Sequence, residues 1–490
     1  MMFFALFCLL MENGFRTSLE ITKRYILIHT MRRYLCMGSR YQFLYDADVV
    51  VCGAGTAGSI AAIAAANEGK KVAMIEQFGT AGGSATLSLV TPLMHTGIEG
   101  NPMCSYVSQK VNEKLVEYGG ATGDGSVFDP QMLALVLEEF LLHENIKIFY
   151  HTFVCEVLTN GSSIRGIEVH NKSGRGLITG SIYIDATGDG DVSYLAKASF
   201  RSGDEETGKN QPVSLRYMIG GVDIEKFWEY LNSLKKPEQR QAYDPESNFH
   251  AAVTVPNRDW PLYPVFMDAI AKGDLIEDDA VYWQVFGVPG RKDTLAFNCP
   301  EFFERTNGVD YEDLTFVQMQ GKKAILRQLR FYKKYFPGFE NAYISAIATM
   351  VGIRESRRID TDYVLTAEDV LSHRKFDDGI AQSNYPVDIH GRKLKLIESK
   401  SRQGSDEKPY YEVPYRSLLV KGIDNLLVAG RCIGADFIAQ SSLRVMPTCR
   451  AIGEACGIAA AMAVEKGVSP HQIDGALVRK RMIQLGAKFA

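Results

Sequence analysis

The stretch from Asp46 to Gln77, DADVVVCGAGTAGSIAAIAAANEGKKVAMIEQ, constrains the fold more than any other part of the chain. Ala47 to Cys52 is a short Val-rich apolar run, the composition of a strand buried on both faces of a parallel sheet. Gly53, Gly55 and Gly58 follow at G-x-G-x-x-G spacing, which gives a tight turn, close approach of backbone to a pyrophosphate, and close packing of helix on strand. Ser59 to Asn67 is Ala-rich helix stopped by Gly69, and its N-terminus would aim free N–H groups at phosphate. Lys71 to Ile75 reads as a second strand ending at Glu76, whose carboxylate can accept hydrogen bonds from both hydroxyls of an adenosine ribose and would repel a 2′-phosphate. Glycines alone would say little; strand, glycines, helix, strand and acid in this order predict a dinucleotide site.

FAD and NAD both suit that unit, and three further segments favour FAD. Gly79 to Ser84 is a run of small residues directly after the second strand, where the backbone can approach a pyrophosphate and ribityl chain. Ser181 to Gly190 is an apolar strand entering a glycine turn. Asn425 to Arg431 is another buried strand ending in glycine, followed by SLRVMPT (Ser442 to Thr448) and a small-residue helix to about Val464, with Pro447 in its first turn. A helix entering there would direct its N–H groups at the N1 and C2 carbonyl edge of a flavin, where charge collects on reduction.

These segments resemble the FAD-dependent oxidoreductases with a glutathione-reductase-like FAD fold, and more narrowly a bacterial branch that includes proteins labelled xanthan lyase. The resemblance rests on VVVCGAGTAGSIAAIAAANEGKKVAMIEQ, DATGDGDVSYLA, GIRESRRIDTDYVLTAEDV, VPYRSLLVKGIDNLLVAGRCI and SLRVMPTCRAIGEACGIAAAMAVEKG, about a quarter of the chain spread from Val49 to Gly467. It implies that Gly53, Gly55, Ala57, Gly58, Glu76, Gly82 and Gly83, with Thr56, Gln77 and Ser84 beside them, hold the adenosine and pyrophosphate. It places Val154 at the adenine, Ala186, Thr187 and Gly188 in the cleft, and Gly430, Arg431, Arg444 and Val445 at the flavin. Relatives often carry a His between the AGR and RVMPT motifs where this chain has Phe437, so no catalytic His carries over, and Asp436 and Gln440 are the polar residues beside that position. The His that carries covalent flavin in other relatives is also missing near Phe78 to Ala81, which implies non-covalent FAD.

From about Phe200 to Asp406 the pattern loosens, with Pro and aromatic residues throughout. This reads as an inserted α+β substrate or cap domain, including a strand from Lys209 to Gly220 that feeds it and a helix over Tyr311 to Lys334. The expected organisation is a leader of uncertain status (1–40), a Rossmann-like FAD-binding α/β domain with a parallel central sheet in two pieces (41–199 and 407–490), and the cap between them (200–406). Arg354, Arg357 and Arg358 would share one face of a helix and could clamp an anion, or form a structural salt-bridge cluster with Glu355, Asp360 or Asp362. Arg444 and Arg354 are the candidate catalytic arginines, Arg444 because it stands beside the helix start facing the flavin. His95 is the third candidate, near the flavin if the chain after Gly83 follows the family path.

Composition narrows the function classes. Lys+Arg of 54 against Asp+Glu of 58, with 46% hydrophobic residues, disfavours disorder and a nucleic-acid binder relying on bulk positive charge. The nine Cys are scattered without C-x-x-C, arguing against a disulfide framework or zinc ribbon and for a reducing compartment. Cys449 and Cys456 share a helix face yet stand too far apart to bridge. No metal-ligand spacing, nucleophile elbow or membrane-spanning run is present. The expectation is a cytoplasmic enzyme, or an exported one should the leader be genuine, that moves hydride between a small-molecule substrate and flavin N5. The alternatives are a flavoprotein passing electrons to a protein partner and an NAD-binding protein without catalysis; substrate, electron acceptor and oligomeric state stay open.

Overall fold

The computed structural model describes residues 40–94, 104–244, 249–254, 260–391, 395–397 and 410–490. Five short strands, β1 (Val49–Cys52), β2 (Val72–Ile75), β3 (Ile146–Phe149), β4 (Ile182–Asp185) and β5 (Leu426–Val428), pair in parallel in the order β5-β4-β1-β2-β3. Every residue of β1, β2, β4 and β5 is buried, and all are apolar except Asp185 at the end of β4, whose carboxylate accepts from Thr187 and Ser193. Two helices dominate the packing on this sheet, α1 (Thr56–Asn67) after β1 and α2 (Met446–Lys466) after β5. Glycine spacing sets their approach: a Cβ on Gly453 would lie 2.2 Å from the Ala57 carbonyl oxygen, and one on Gly457 2.4 Å from that of Ala61. The fold is a Rossmann-like α/β unit with a separate α+β cap inserted between β4 and β5.

The cap sheet is antiparallel, ordered His250–Thr254, Tyr282–Val288, Arg291–Phe297, Tyr217–Gly220, Tyr343–Ile347. It shares a second core, drawn from Val213 to Val351, with one long helix, Tyr311–Tyr335, where Val317, Ile325, Phe331 and Tyr332 are buried. Asp310 starts that helix by accepting hydrogen bonds from the Glu312 and Asp313 N–H groups. Buried residues from Ile359 to Val387 belong to the first core instead, so by core membership the inserted unit closes well before residue 406. The two chain crossings between the cores meet at Ser214 and Gly352, whose backbones exchange hydrogen bonds of 3.1 and 2.8 Å.

Cys449 and Cys456 are buried free thiols on α2. Among the described residues no helix is long and apolar enough to cross a membrane, and no cluster of three His, Cys, Asp or Glu is placed to hold a metal.

Candidate functional site

A cavity of about 500 Å³ runs from the carboxyl ends of β1, β2, β4 and β5 to the cap. Ligands of open α/β sheets bind at this edge, because the turns leaving the strands present backbone N–H groups there. Gly53, Gly55, Thr56, Ala57, Glu76, Gln77, Gly83 and Ser84 line one end, and Ala186, Thr187, Gly188, Gly430, Arg431, Arg444 and Val445 line the middle. Gly58, Gly82 and Val154 do not line it. Gly58 is a packing residue, since a Cβ there would stand 1.9 Å from the Gly53 carbonyl oxygen. Gly82 takes a left-handed conformation (φ 101°) and donates its N–H to Ala54, pinning the second glycine run to the first. Val154 pairs with Val169 in a separate sheet. His95 lies outside the described residues.

The first end is built from backbone. A Cβ on Gly83 would lie 2.7 Å from the Gly55 Cα, so the two glycine turns touch and form a floor without side chains. Glu76 is buried and accepts from the N–H groups of Ala54 (2.8 Å) and Phe78 (2.9 Å), leaving lone pairs on both oxygens. Burial raises its carboxyl above the usual range, while the Phe78, Ala54 and Gln77 N–H groups favour the charged form. Both α1 and α2 begin at this cavity with no side-chain cap, at Gly55 and Val445, so their first-turn N–H groups keep their capacity for a ligand.

In the middle, Arg431 donates to Asp189 at 3.0 Å, and Gly188 (φ 82°) leaves the room it needs, since a Cβ there would stand 2.7 Å from the guanidinium. The Arg431 Nη1, Arg444 Nε and Thr448 Oγ1 atoms are buried without a protein partner. Phe437 does not line the cavity. It is buried beneath the Arg358 guanidinium, 5.7 Å from its ring centroid.

The far end is made of charged side chains from distant segments. Glu301 accepts from Arg354 and faces the His390 Nδ1 at 2.8 Å; Asp388 faces the His390 Nε2 at 3.3 Å and accepts from Arg444 (3.0 Å) and Tyr385 (3.2 Å). Tyr282 sits edge-on to the His390 ring, and its hydroxyl donates to Gln284 and accepts from Asn298. Burial alone would raise both carboxyls. Arg354 and His390 hold Glu301 below its ordinary value, and His390, Arg444 and Arg354 pull Asp388 well below. Arg216 is 8% exposed and lines the same wall, where burial and the neighbouring Arg354 lower it to about 9.

The helix expected over Arg354 to Arg358 does not form. Pairing of Gly352 with Ser214 and of Arg357–Ile359 with Phe200–Ser202 extends the chain instead, and the three arginines diverge. Arg354 reaches the Pro212 carbonyl and Glu301 at the cavity, Arg357 binds Asp191 and lies over Tyr194, and Arg358 is buried against Glu355 and Glu205. They form no single clamp. Arg354 remains at the site; Arg216, Glu301, Asp388 and His390 escaped the sequence reading. A lone Arg inside the apolar run Val213 to Gly220, and Asp388 and His390 two apart in an extended segment, are the signals that point to them.

The profile of the family described as FAD dependent oxidoreductase matches residues 48–482. No curated protein matches the chain. Among solved structures, a geranylgeranyl bacteriochlorophyll reductase-like protein from Thermoplasma acidophilum is 12% identical, covering 90% of this chain and 83% of its own, with a TM-score of 0.41. p-Nitrophenol 4-monooxygenase from Pseudomonas putida is 11% identical over 91% of this chain and 87% of its own, with a TM-score of 0.43. The flavin-dependent halogenase CmlS is 12% identical over 90% of this chain and 63% of its own, with a TM-score of 0.45.

Proposed function

Because the chain belongs to the FAD dependent oxidoreductase family, with FAD as its cofactor, we propose that it oxidises or reduces a small molecule held at the cap end of the cavity. The residues present fit FAD. The side-chain-free floor at Gly55 and Gly83, the remaining lone pairs of Glu76 and the uncapped start of α1 suit the adenosine and pyrophosphate, as the uncapped start of α2 beside Arg431 and Arg444 suits the flavin. When bound, FAD would supply two-electron redox chemistry, with N5 the position able to accept or donate hydride. The protein supplies position and charge. Arg444, tethered to Asp388, keeps its buried Nε free to favour negative charge at the flavin edge, and Tyr282, Tyr385 and His390 line the cavity wall at the cap end, where they orient substrate.

The observation that carries this reading is continuity: one cavity joins the glycine turns to the cap's charged wall, so cofactor and substrate would share a single enclosed space. The test is an absorbance spectrum of the purified protein with FAD, taken anaerobically before and after pooled sugars, hydroxy acids, unsaturated acids and NADH. A flavin spectrum bleached by one pool is expected. Protein that stays colourless with FAD added overturns the reading.

A further inference from the structure

We propose that Arg216 is the recognition group for a substrate carboxylate, and that Asn298 beside it receives a hydrogen bond from a hydroxyl next to that carboxylate, so that the cap end takes a hydroxy acid. This deepens the proposed function and rests on its placing of substrate at the cap end. The first observation is a guanidinium without a partner. Arg216 is 8% exposed, its Nε has no hydrogen-bond partner, and among the described residues no group forms a hydrogen bond or ion pair with its side chain. A buried guanidinium without a hydrogen-bonded counter-ion is costly, and a ligand that brings the negative charge removes that cost.

Charge balance gives the same answer independently. At this end the guanidiniums of Arg216, Arg354 and Arg444 face the carboxylates of Glu301 and Asp388, so positive charge is in excess, by one with His390 neutral and by two with it protonated. Arg354 and Arg444 are each committed to one of those carboxylates; Arg216 is the one left. Burial lowers the pKa of His250, which also lines this wall, and so disfavours its charged form, and the Tyr282 and Tyr385 hydroxyls supply no charge because burial raises both. A monoanion at Arg216 offsets that excess, completely when His390 is neutral. A planar carboxylate also matches the fork of a guanidinium.

Register places the second group. Tyr217 pairs with Phe297 in the antiparallel cap sheet, which carries Arg216 and Asn298 opposite each other at the end of that pairing. The Asn298 amide nitrogen is spent on Tyr282 and Gln284, while its Oδ1 is buried without a donor. An acceptor lacking a donor next to a cation lacking an anion is the complement of a carboxylate with a neighbouring hydroxyl.

Calorimetric titration of the purified protein with FAD, using racemic mandelate, phenylacetate, mandelamide and phenyl phosphate, tests this without requiring turnover. Mandelate is expected to bind several-fold more tightly than phenylacetate and at least about tenfold more tightly than mandelamide or phenyl phosphate. Arg216→Met should weaken mandelate on the order of 100-fold and leave mandelamide unchanged, with Arg216→Lys between, retaining charge without the fork. Retained flavin absorbance reports that each variant is folded. Equal binding of acid and amide, preference for phenyl phosphate, or a yellow Arg216→Met that binds mandelate as the parent does overturns the carboxylate; equal binding of mandelate and phenylacetate overturns the hydroxyl. Protein that binds mandelate through Arg216 yet never takes up FAD overturns the proposed function and leaves this inference standing.

Discussion

The two ends of the cavity solve recognition in opposite ways. The glycine end uses backbone from two adjacent turns, with Glu76 as its one charged wall residue, whereas the cap end uses side chains of residues 216, 354, 388, 390 and 444, three of them arginines, with Glu301 paired to Arg354 and His390. A backbone site tolerates almost no added atoms but depends little on which charges surround it. A side-chain site keeps its shape through ion pairs, and so depends on charge and pH. The first suits a cofactor of fixed structure; the second can be re-specified residue by residue without disturbing the cofactor fold.

Gly58→Val breaks the first half of that comparison most severely. Its Cβ would stand 1.9 Å from the Gly53 carbonyl oxygen and 3.0 Å from the Ala186 Cβ, and the nearer contact is backbone that cannot rotate away. The expected destabilisation exceeds the about 4–5 kcal/mol that marks exceptional substitutions. Purified protein should carry no flavin, read as the ratio of flavin to protein absorbance, even though residue 58 does not line the cavity. A yellow Gly58→Val would mean the turn is not the cofactor floor.

Glu301→Gln does the corresponding damage at the cap end and should leave flavin bound. Glu301 is fully enclosed between Arg354 and His390, and breaking such a pair strands a buried charge, costing about 3–5 kcal/mol at neutral pH. The pH dependence identifies the cause. The Glu301 and Asp388 carboxyls lie below their ordinary values, so their contribution to stability is present above the unfolded-state value of about 4 and is lost as pH falls through the lower folded-state values. In urea melts, parent and Glu301→Gln should therefore differ most near neutral pH and converge below about pH 4. A gap that persists in acid would assign the loss to packing rather than charge.

This contrast also explains what could be read from the chain. Gly53, Gly55, Glu76 and Gly83 are close in sequence, and each is required by a local geometry that few other residues satisfy, so their spacing carried the parallel sheet and the cavity end proposed for the cofactor. Glu301 and His390 meet across 89 residues of chain and Arg216 reaches the same wall from elsewhere, which no local pattern encodes. Arg354, Arg357 and Arg358 show the opposite error. Their spacing suits a helix, but the bridge from Gly352 to Ser214 and the pairing of Arg357–Ile359 with Phe200–Ser202 are tertiary, and they override local preference.

The smallest expected effect is the most discriminating, because Glu76 is a charged side chain within the backbone end. Its oxygens already accept from Ala54 and Phe78, and Glu76→Gln keeps one acceptor while turning the other position into a donor. One backbone N–H loses its acceptor and one ribose hydroxyl loses a charge-assisted bond, together about 1–2 kcal/mol, or roughly tenfold in FAD affinity. FMN carries the same isoalloxazine without the adenosine. In flavin-fluorescence titrations of the apoprotein, FAD should therefore weaken about tenfold while FMN is unchanged. An equal loss for both would show that Glu76 supports the turn from Ala54 to Phe78 rather than the ribose, and the glycine end would then recognise its ligand through backbone alone.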